Sequence, residues 1–195
     1  MPRKPSAERL ISTESAEETR KLAARLGLLL RAGDVVSLTG DLGAGKTTFT
    51  QGLAVGLGIP DDVVVNSPTF TILAEHFEGR VPLYHFDVYR LGGVSDLYDL
   101  AFDEYVDGSG VVVVEWADRI RDALPDDTLY VDVEFDSDSL PFTEGEGVGP
   151  DSSPSRFGRG GEERAGVGPS SDRLLRFTAF SPRSAELIRS LEVDE

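Results

Sequence analysis

The sequence predicts an α/β chain with a strand–loop–helix unit at its centre, and three stretches carry that prediction. Gly40-Asp41-Leu42-Gly43-Ala44-Gly45-Lys46-Thr47 is a complete G-x-x-x-x-G-K-[ST] motif. It sits between the β-like run Val35-Val36-Ser37-Leu38-Thr39 and the helix-like run Thr48-Phe49-Thr50-Gln51-Gly52-Leu53-Ala54. Val111-Val112-Val113-Val114-Glu115 is an apolar run that ends in an acid, the pattern of a strand buried on both faces. Residues 69–77 and 81–89 are β-rich and are separated by Glu78-Gly79-Arg80, which reads as the turn of an antiparallel hairpin.

Taken in order, residues 1–9 read as a flexible tail, and a single domain is expected over residues 10–195. From spacing alone Ile11-Ser12-Thr13-Glu14 is the lead-in to a helix, because Ser15-Ala16-Glu17-Glu18 matches a capping box. The helix beyond it places Leu22, Leu26, Leu29 and Leu30 on one face, and Gly33-Asp34 turns the chain into the first strand. Gly56, Gly58 and Pro60 end the helix after the glycine loop. Residues 96–105 are acidic, with Leu97, Leu100 and Phe102 as apolar anchors, and read as helix. Residues 117–124 form a short helix that Pro125 ends. Residues 128–135 and 173–180 alternate as strands, and Ser181-Pro182 opens a last helix with proline at its favoured first position. Between those two strands, residues 137–171 hold 8 Gly, 4 Pro and 7 Ser. A segment so poor in apolar surface is expected to be a disordered loop inserted into a hairpin.

Composition narrows the function. A formal net charge of -16 argues against a tight, direct grip on a phosphate backbone, so any nucleic acid is expected to be held by a partner. The absence of cysteine removes disulfides, thiolate metal sites and a cysteine nucleophile. No apolar run approaches the ~20 residues of a membrane span. The basic Met1-Pro2-Arg3-Lys4-Pro5 is not followed by an apolar signal region, and a cytoplasmic location is expected.

The motif supplies the chemistry. Its glycines let backbone N–H groups turn inward around phosphate oxygens at a helix N-terminus. Lys46 would reach the β- and γ-phosphates, and the Thr47 hydroxyl would bind Mg²⁺, so a nucleoside triphosphate is the expected ligand. Asp87 lies inside the aromatic and apolar stretch Tyr84-His85-Phe86-Asp87-Val88-Tyr89-Arg90. A lone buried carboxylate there costs on the order of several kcal/mol without a cation or strong donors, and Mg²⁺ and Lys46 are the expected partners. The role of His85 stays open, a packed or surface histidine being the commoner case. Glu115 stands at the carboxyl end of its strand, where open α/β sheets bind ligands. It reads as a Mg²⁺ ligand or water-positioning acid, or else as a solvated acid just past a strand. Asn66-Ser67-Pro68-Thr69 reads either as a proline turn or as a switch loop whose hydroxyls sense the γ-phosphate. An N-K-x-D guanine-reading motif is absent, since Asn66 is the only asparagine and Ser67 follows it.

The loop Gly40–Thr47 with Thr48-Phe49, then Ser67-Pro68-Thr69-Phe70, then His85-Phe86-Asp87-Val88-Tyr89-Arg90-Leu91, then Glu115-Trp116 resemble the TsaE (YjeE) ATPases. These belong to the pathway that makes threonylcarbamoyladenosine in tRNA. The resemblance covers roughly residues 11–135. It implies a P-loop NTPase fold with a central, mainly parallel sheet flanked by helices and an antiparallel β-hairpin. It also implies ATP and Mg²⁺ as cofactors and slow hydrolysis by the protein alone. The implied partners are a carbamoyl-transferase subunit and its paralogue, whose complex nucleotide turnover resets, with tRNA touched only indirectly. Carried over residue by residue, Lys46 acts on phosphate and Thr47 on Mg²⁺. Glu115 is a metal ligand or catalytic acid, and Asp87 the companion acid. Asp41, Leu42, Gly43, Ala44, Gly45 and Thr48 complete the nucleotide cradle, and Ser67 and Thr69 lie in the switch-like loop. Ile11, Thr13 and Arg173 fall near the adenine side, and Trp116 reports the nucleotide state. Two other readings compete: a small-molecule kinase, against which no second arginine-rich lid is present, and a nucleotide-dependent scaffold with negligible hydrolysis.

Overall fold

The apolar β-runs gather into one seven-stranded sheet in the computed structural model, which describes residues 4–136 and 172–191. The segment read as a disordered insert, 137–171, lies outside the described residues. In chain order the elements are β1 (Ala7–Thr13), α1 (Ala16–Leu29), β2 (Val35–Thr39), α2 (Lys46–Gly56), β3 (Leu73–His76) and β4 (Leu83–Asp87). There follow α3 (Ser95–Tyr98), α4 (Phe102–Val106), β5 (Val111–Glu115), a 3₁₀ segment (Ala117–Ala123), β6 (Leu129–Phe135), β7 (Arg173–Ala179) and α5 (Pro182–Ser190).

The sheet order is β1-β7-β6-β2-β5-β4-β3. Its middle, β6-β2-β5-β4, is parallel, and antiparallel pairs close both edges: β3 on β4 at one side, β7 and β1 at the other. Helices α1, α2 and α5 cover one face: Leu22, Leu26, Phe49 and Leu53 join the inward residues of β2, β5 and β6 in one core, and Leu187 and Ile188 of α5 extend it over β7 and β1. The other face buries Val35, Phe86, Val112 and Val114 under Leu97, Phe102 and Ile120. This two-sided cover is why Val111–Glu115 reads as a continuous apolar run rather than an alternating one.

Three readings change on seeing the structure. Residues 7–13 are a strand, not the end of a tail followed by a helix lead-in. Their partner is β7, in a register running from Ala7↔Ala179 to Thr13↔Arg173, so the pairing is invisible to local spacing. The N-cap beyond is as read, with the Ser15 side chain accepting from the Glu18 N–H at 3.1 Å. The reciprocal bond of the expected capping box is shifted by one residue: the Glu14 N–H, not that of Ser15, donates to the Glu18 carboxylate at 2.8 Å. The acidic helix at 96–105 is broken into α3 and α4 at Ala101, which has φ 50°. An unbroken helix would set Leu97 and Phe102 about 140° apart around its axis. The break lets both reach the sheet, with Phe102 edge-on to Phe86 at 5.2 Å. Finally, the short helix after β5 is 3₁₀, with a kink at Ile120.

Candidate functional site

The in-register pairs Leu83↔Val111, His85↔Val113 and Asp87↔Glu115 put His85, Asp87, Val113 and Glu115 on the α2 face of the sheet. The two acids stand side by side at the carboxyl ends of β4 and β5, beside the point where β2 runs into the glycine loop. A cleft of about 270 Å³ opens there, lined by Leu42, Gly43, Gly45, Lys46, Thr47, Thr48, Ser67, Thr69, Asp87, Glu115 and Trp116. Most residues singled out in the sequence therefore converge on one place.

The loop needs its glycines for stated reasons. Gly40 has φ 125°, and a Cβ on it would sit 2.1 Å from the Val133 carbonyl oxygen. Gly45 caps α2 in the left-handed region at φ 112°. Lys46 follows as the first residue of α2 and is 4% exposed. Its ammonium donates to the Gly40 carbonyl at 2.7 Å and the Asp41 carbonyl at 2.8 Å, and lies 3.7 Å from the centre of the Trp116 ring. Burial pulls its pKa below the ordinary lysine value, opposed by the charges of Glu115, Asp87, Asp118 and Asp41.

Glu115 is 2% exposed and has both carboxylate oxygens occupied. The Thr47 hydroxyl donates to Oε2 at 3.0 Å, and His85 Nε2 lies 2.9 Å from Oε1. Glu115 is thus a buried acid at the cleft, not a solvated one past a strand. Trp116, the next residue, adopts φ 61°, a left-handed conformation in which a bulky residue is uncommon.

Asp87 finds partners other than the Lys46 contact expected for it. Ser67 Oγ donates to Asp87 Oδ2 in a short hydrogen bond, Thr69 Oγ1 donates to the same oxygen at 2.8 Å, and the Tyr89 N–H donates to Oδ1 at 3.0 Å. The Asp87 N–H in turn donates to the Ile72 carbonyl at 2.9 Å, and Ile72 holds φ 69°. The hydroxyl-rich stretch is therefore clasped to the Asp87 side chain, and the chain just beyond it, at Ile72, to the Asp87 backbone. Lys46 instead lies on its own loop's carbonyls.

Arg173 stands against the loop from the antiparallel side: its Nε donates to the Ala44 carbonyl at 2.6 Å, and its guanidinium lies 4.3 Å over the Phe135 ring. With Thr19, Ala44, Gly45 and Thr48 it lines a small hollow beside the main cleft. Ile11 and Thr13 do not line the main cleft. They border a separate cavity of about 440 Å³ against α1, and the Thr13 hydroxyl meets that of Thr19 at 2.7 Å. The residue that sequence reasoning left without a role is His85. Its two-residue offset from Asp87 gives it the same face of the strand, but only the β4–β5 register reveals Glu115 as its partner.

Among the described residues no group of three or more His, Cys, Asp or Glu side chains forms a ready-made metal cage. What the cleft offers is oxygen alone: the Thr47 hydroxyl, the Glu115 carboxylate and, one strand over, the Asp87 carboxylate. Such a set suits a hard cation that completes its shell with water and phosphate, which is the habit of Mg²⁺.

Comparison with known proteins finds relatives that share one name. A Bacillus subtilis protein named tRNA threonylcarbamoyladenosine biosynthesis protein TsaE is 51% identical over 119 residues, covering 61% of this chain and 73% of the relative. Its namesake from Treponema pallidum is 44% identical over 126 residues, covering 65% and 91%. The crystal structure of Bacillus subtilis YdiB superposes with a TM-score of 0.67 at 34% identity, covering 95% of this chain and 94% of that one. Residues 13–140 match the family model described as Threonylcarbamoyl adenosine biosynthesis protein TsaE. The chain is a member of the TsaE family.

Proposed function

We propose that this chain is a P-loop ATPase whose Mg²⁺-dependent nucleotide cycle serves threonylcarbamoyladenosine formation in tRNA, and that it works in the cytoplasm. The observation that carries the reading is the meeting of Lys46, Thr47 and Glu115 at one end of α2, with Thr47 and Glu115 3.0 Å apart. The names of the relatives supply the pathway.

In this reading the backbone N–H groups of Gly43, Gly45 and Lys46 would hold phosphate oxygens, and Lys46 would leave the Gly40 and Asp41 carbonyls to join them. Thr47 and Glu115 would hold Mg²⁺, which when bound would neutralise charge on the phosphates. Asp87 or Glu115 orients the attacking water. The hydroxyls of Ser67 and Thr69, now donated to Asp87, are the groups a γ-phosphate would compete for, which makes residues 66–69 a switch loop. The family's partners, a carbamoyl-transferase subunit and its paralogue, would read that switch and be reset by hydrolysis. The acidic chain itself has no need to hold tRNA.

Single-turnover ATP hydrolysis with and without those partners tests the reading. The expected result is slow turnover alone, acceleration by the partners, and loss of both in Glu115→Ala. A rate indifferent to partners and to Glu115→Ala would favour the nucleotide-dependent scaffold, and phosphate transfer to an added small molecule would favour the kinase.

A further inference from the structure

Glu115 has to present one oxygen to the Thr47 side of the cleft, and on its own it has little reason to stay there. Its side chain carries three rotatable bonds, and a carboxylate turned by one rotamer well presents a different edge. Two contacts fix it. Thr47 engages Oε2, but that is the edge a cation would claim, so the contact cannot serve as the anchor once the site is filled. The other contact, His85 Nε2 to Oε1 at 2.9 Å, lies behind the carboxylate on a fully buried ring.

The tautomer follows from the chemistry of the pair. An ionised carboxylate only accepts, so Nε2 must carry the proton and donate. His85 Nδ1 is buried with no hydrogen-bond partner. The ring is therefore held by packing within the sheet and by this single hydrogen bond. His85 belongs to β4 and Glu115 to β5, adjacent parallel strands locked by the register Leu83↔Val111 to Asp87↔Glu115. The donor thus stands on a rigid element, two residues below Asp87 on the same face. A buried histidine at that depth adds no apolar packing that Leu or Phe would not supply, and it leaves one nitrogen orphaned.

We infer that His85 is the positioning residue of the metal-binding acid: its Nε2–H holds Glu115 Oε1 so that Oε2 faces Thr47 and the cation site. This rests on the Mg²⁺–nucleotide reading above and deepens it. Outer donors of this kind orient metal-binding carboxylates, and their loss typically weakens metal affinity about 10–100-fold.

The test is a Mg²⁺ titration of the full chain saturated with a non-hydrolysable ATP analogue, followed by Trp116 fluorescence, with analogue binding in EDTA measured alongside. His85→Leu is expected to raise the Mg²⁺ midpoint about 10–100-fold while leaving metal-free analogue affinity unchanged. His85→Gln, whose amide N–H extends to about the place of Nε2, should recover most of that loss. His85→Asn, whose amide reaches only as far as Nδ1, should not. In a Glu115→Gln background, removing His85 should add no further weakening, because the two act through one contact. If His85→Leu does not fold, the contrast between Gln and Asn decides alone. A wild type with no Mg²⁺ response overturns the proposed function, and this inference with it. A wild type that responds, together with His85 variants at the wild-type midpoint, overturns the inference alone. So does an equal loss of metal-free and metal-dependent binding that Gln fails to rescue, which would mark His85 as merely structural.

Discussion

Substituting Gly52 by alanine places a methyl group where α1 and α2 touch. The new Cβ would lie 2.4 Å from the Arg20 carbonyl oxygen, 2.6 Å from Ala23 Cβ and 2.9 Å from Arg20 Cα. Non-bonded heavy atoms are comfortable at about 3.5 Å or more, so the helices must part by about 1 Å. Two of the three atoms are backbone and cannot swing aside. Overpacking of this kind costs about 1–3 kcal/mol, and a clash with backbone belongs at the upper end. Against it stands about 1 kcal/mol of helix propensity gained by replacing glycine with alanine. The net expectation is a loss of about 2 kcal/mol, or about 4–8 °C in Tm at about 2–4 °C per kcal/mol for a chain of this size. The assay is thermal unfolding by circular dichroism, with Leu28→Ala as the control on α1: Leu28 is 69% exposed, and its loss should stay within about 0.5 kcal/mol. Because Lys46 and Thr47 begin α2, Gly52→Ala should also weaken nucleotide binding. A Tm unchanged or raised would show that the propensity gain wins, and that the two helices do not meet at this glycine.

Other outcomes follow from single contacts. Arg183 grips Asp34 through two hydrogen bonds, at 2.9 and 2.7 Å, and reaches the Leu29 carbonyl at 2.9 Å. Arg183→Ala leaves Asp34 buried without that cation and should cost roughly 3 kcal/mol, read as a lower urea midpoint. His76 has its pKa lowered, first by burial and then by His85, with Glu78 opposing, and its Nε2 is buried without a partner. Between the lowered folded value and the ordinary 6.5, the unfolded chain therefore binds more protons. The contribution of His76 is complete above pH 6.5 and is lost as the pH falls toward the folded value. Urea melts in that window should show a steeper acid loss for wild type than for His76→Gln. Gly40→Ala, whose Cβ would meet the Val133 carbonyl at 2.1 Å, should distort the loop and abolish nucleotide binding, checked with a fluorescent ATP analogue.

The parts of the fold that were legible are those whose reasons are local. The glycine loop declares itself because turning backbone N–H groups inward takes glycine at fixed spacings, and Gly40, Gly43 and Gly45 all have positive φ. Val111–Glu115 declares itself because a strand covered on both faces needs apolar residues at every position. The strand β1 was hidden because its reason to extend is β7, whose paired residues lie 160 to 172 positions away along the chain. The break at Ala101 was hidden because only the sheet beneath requires Leu97 and Phe102 to point the same way. In the site, the acids could be found one by one, but their partners could not. Pairing His85 with Glu115 takes the β4–β5 register, and pairing Asp87 with Ser67 and Thr69 takes the path of the loop that folds back over it.

In the proposed function the Gly40–Thr47 loop binds the phosphates of ATP together with Mg²⁺. The most direct test is titration of ATP and GTP with Mg²⁺ followed by Trp116 fluorescence, comparing wild type with Lys46→Ala. Lys46 lies 3.7 Å from the Trp116 ring, so its departure toward phosphate must change the indole's surroundings. The expected result is a saturable, ATP-selective signal in the wild type that Lys46→Ala abolishes. A wild type that binds neither nucleotide, or a Lys46→Ala variant that binds ATP as well as wild type, would contradict it.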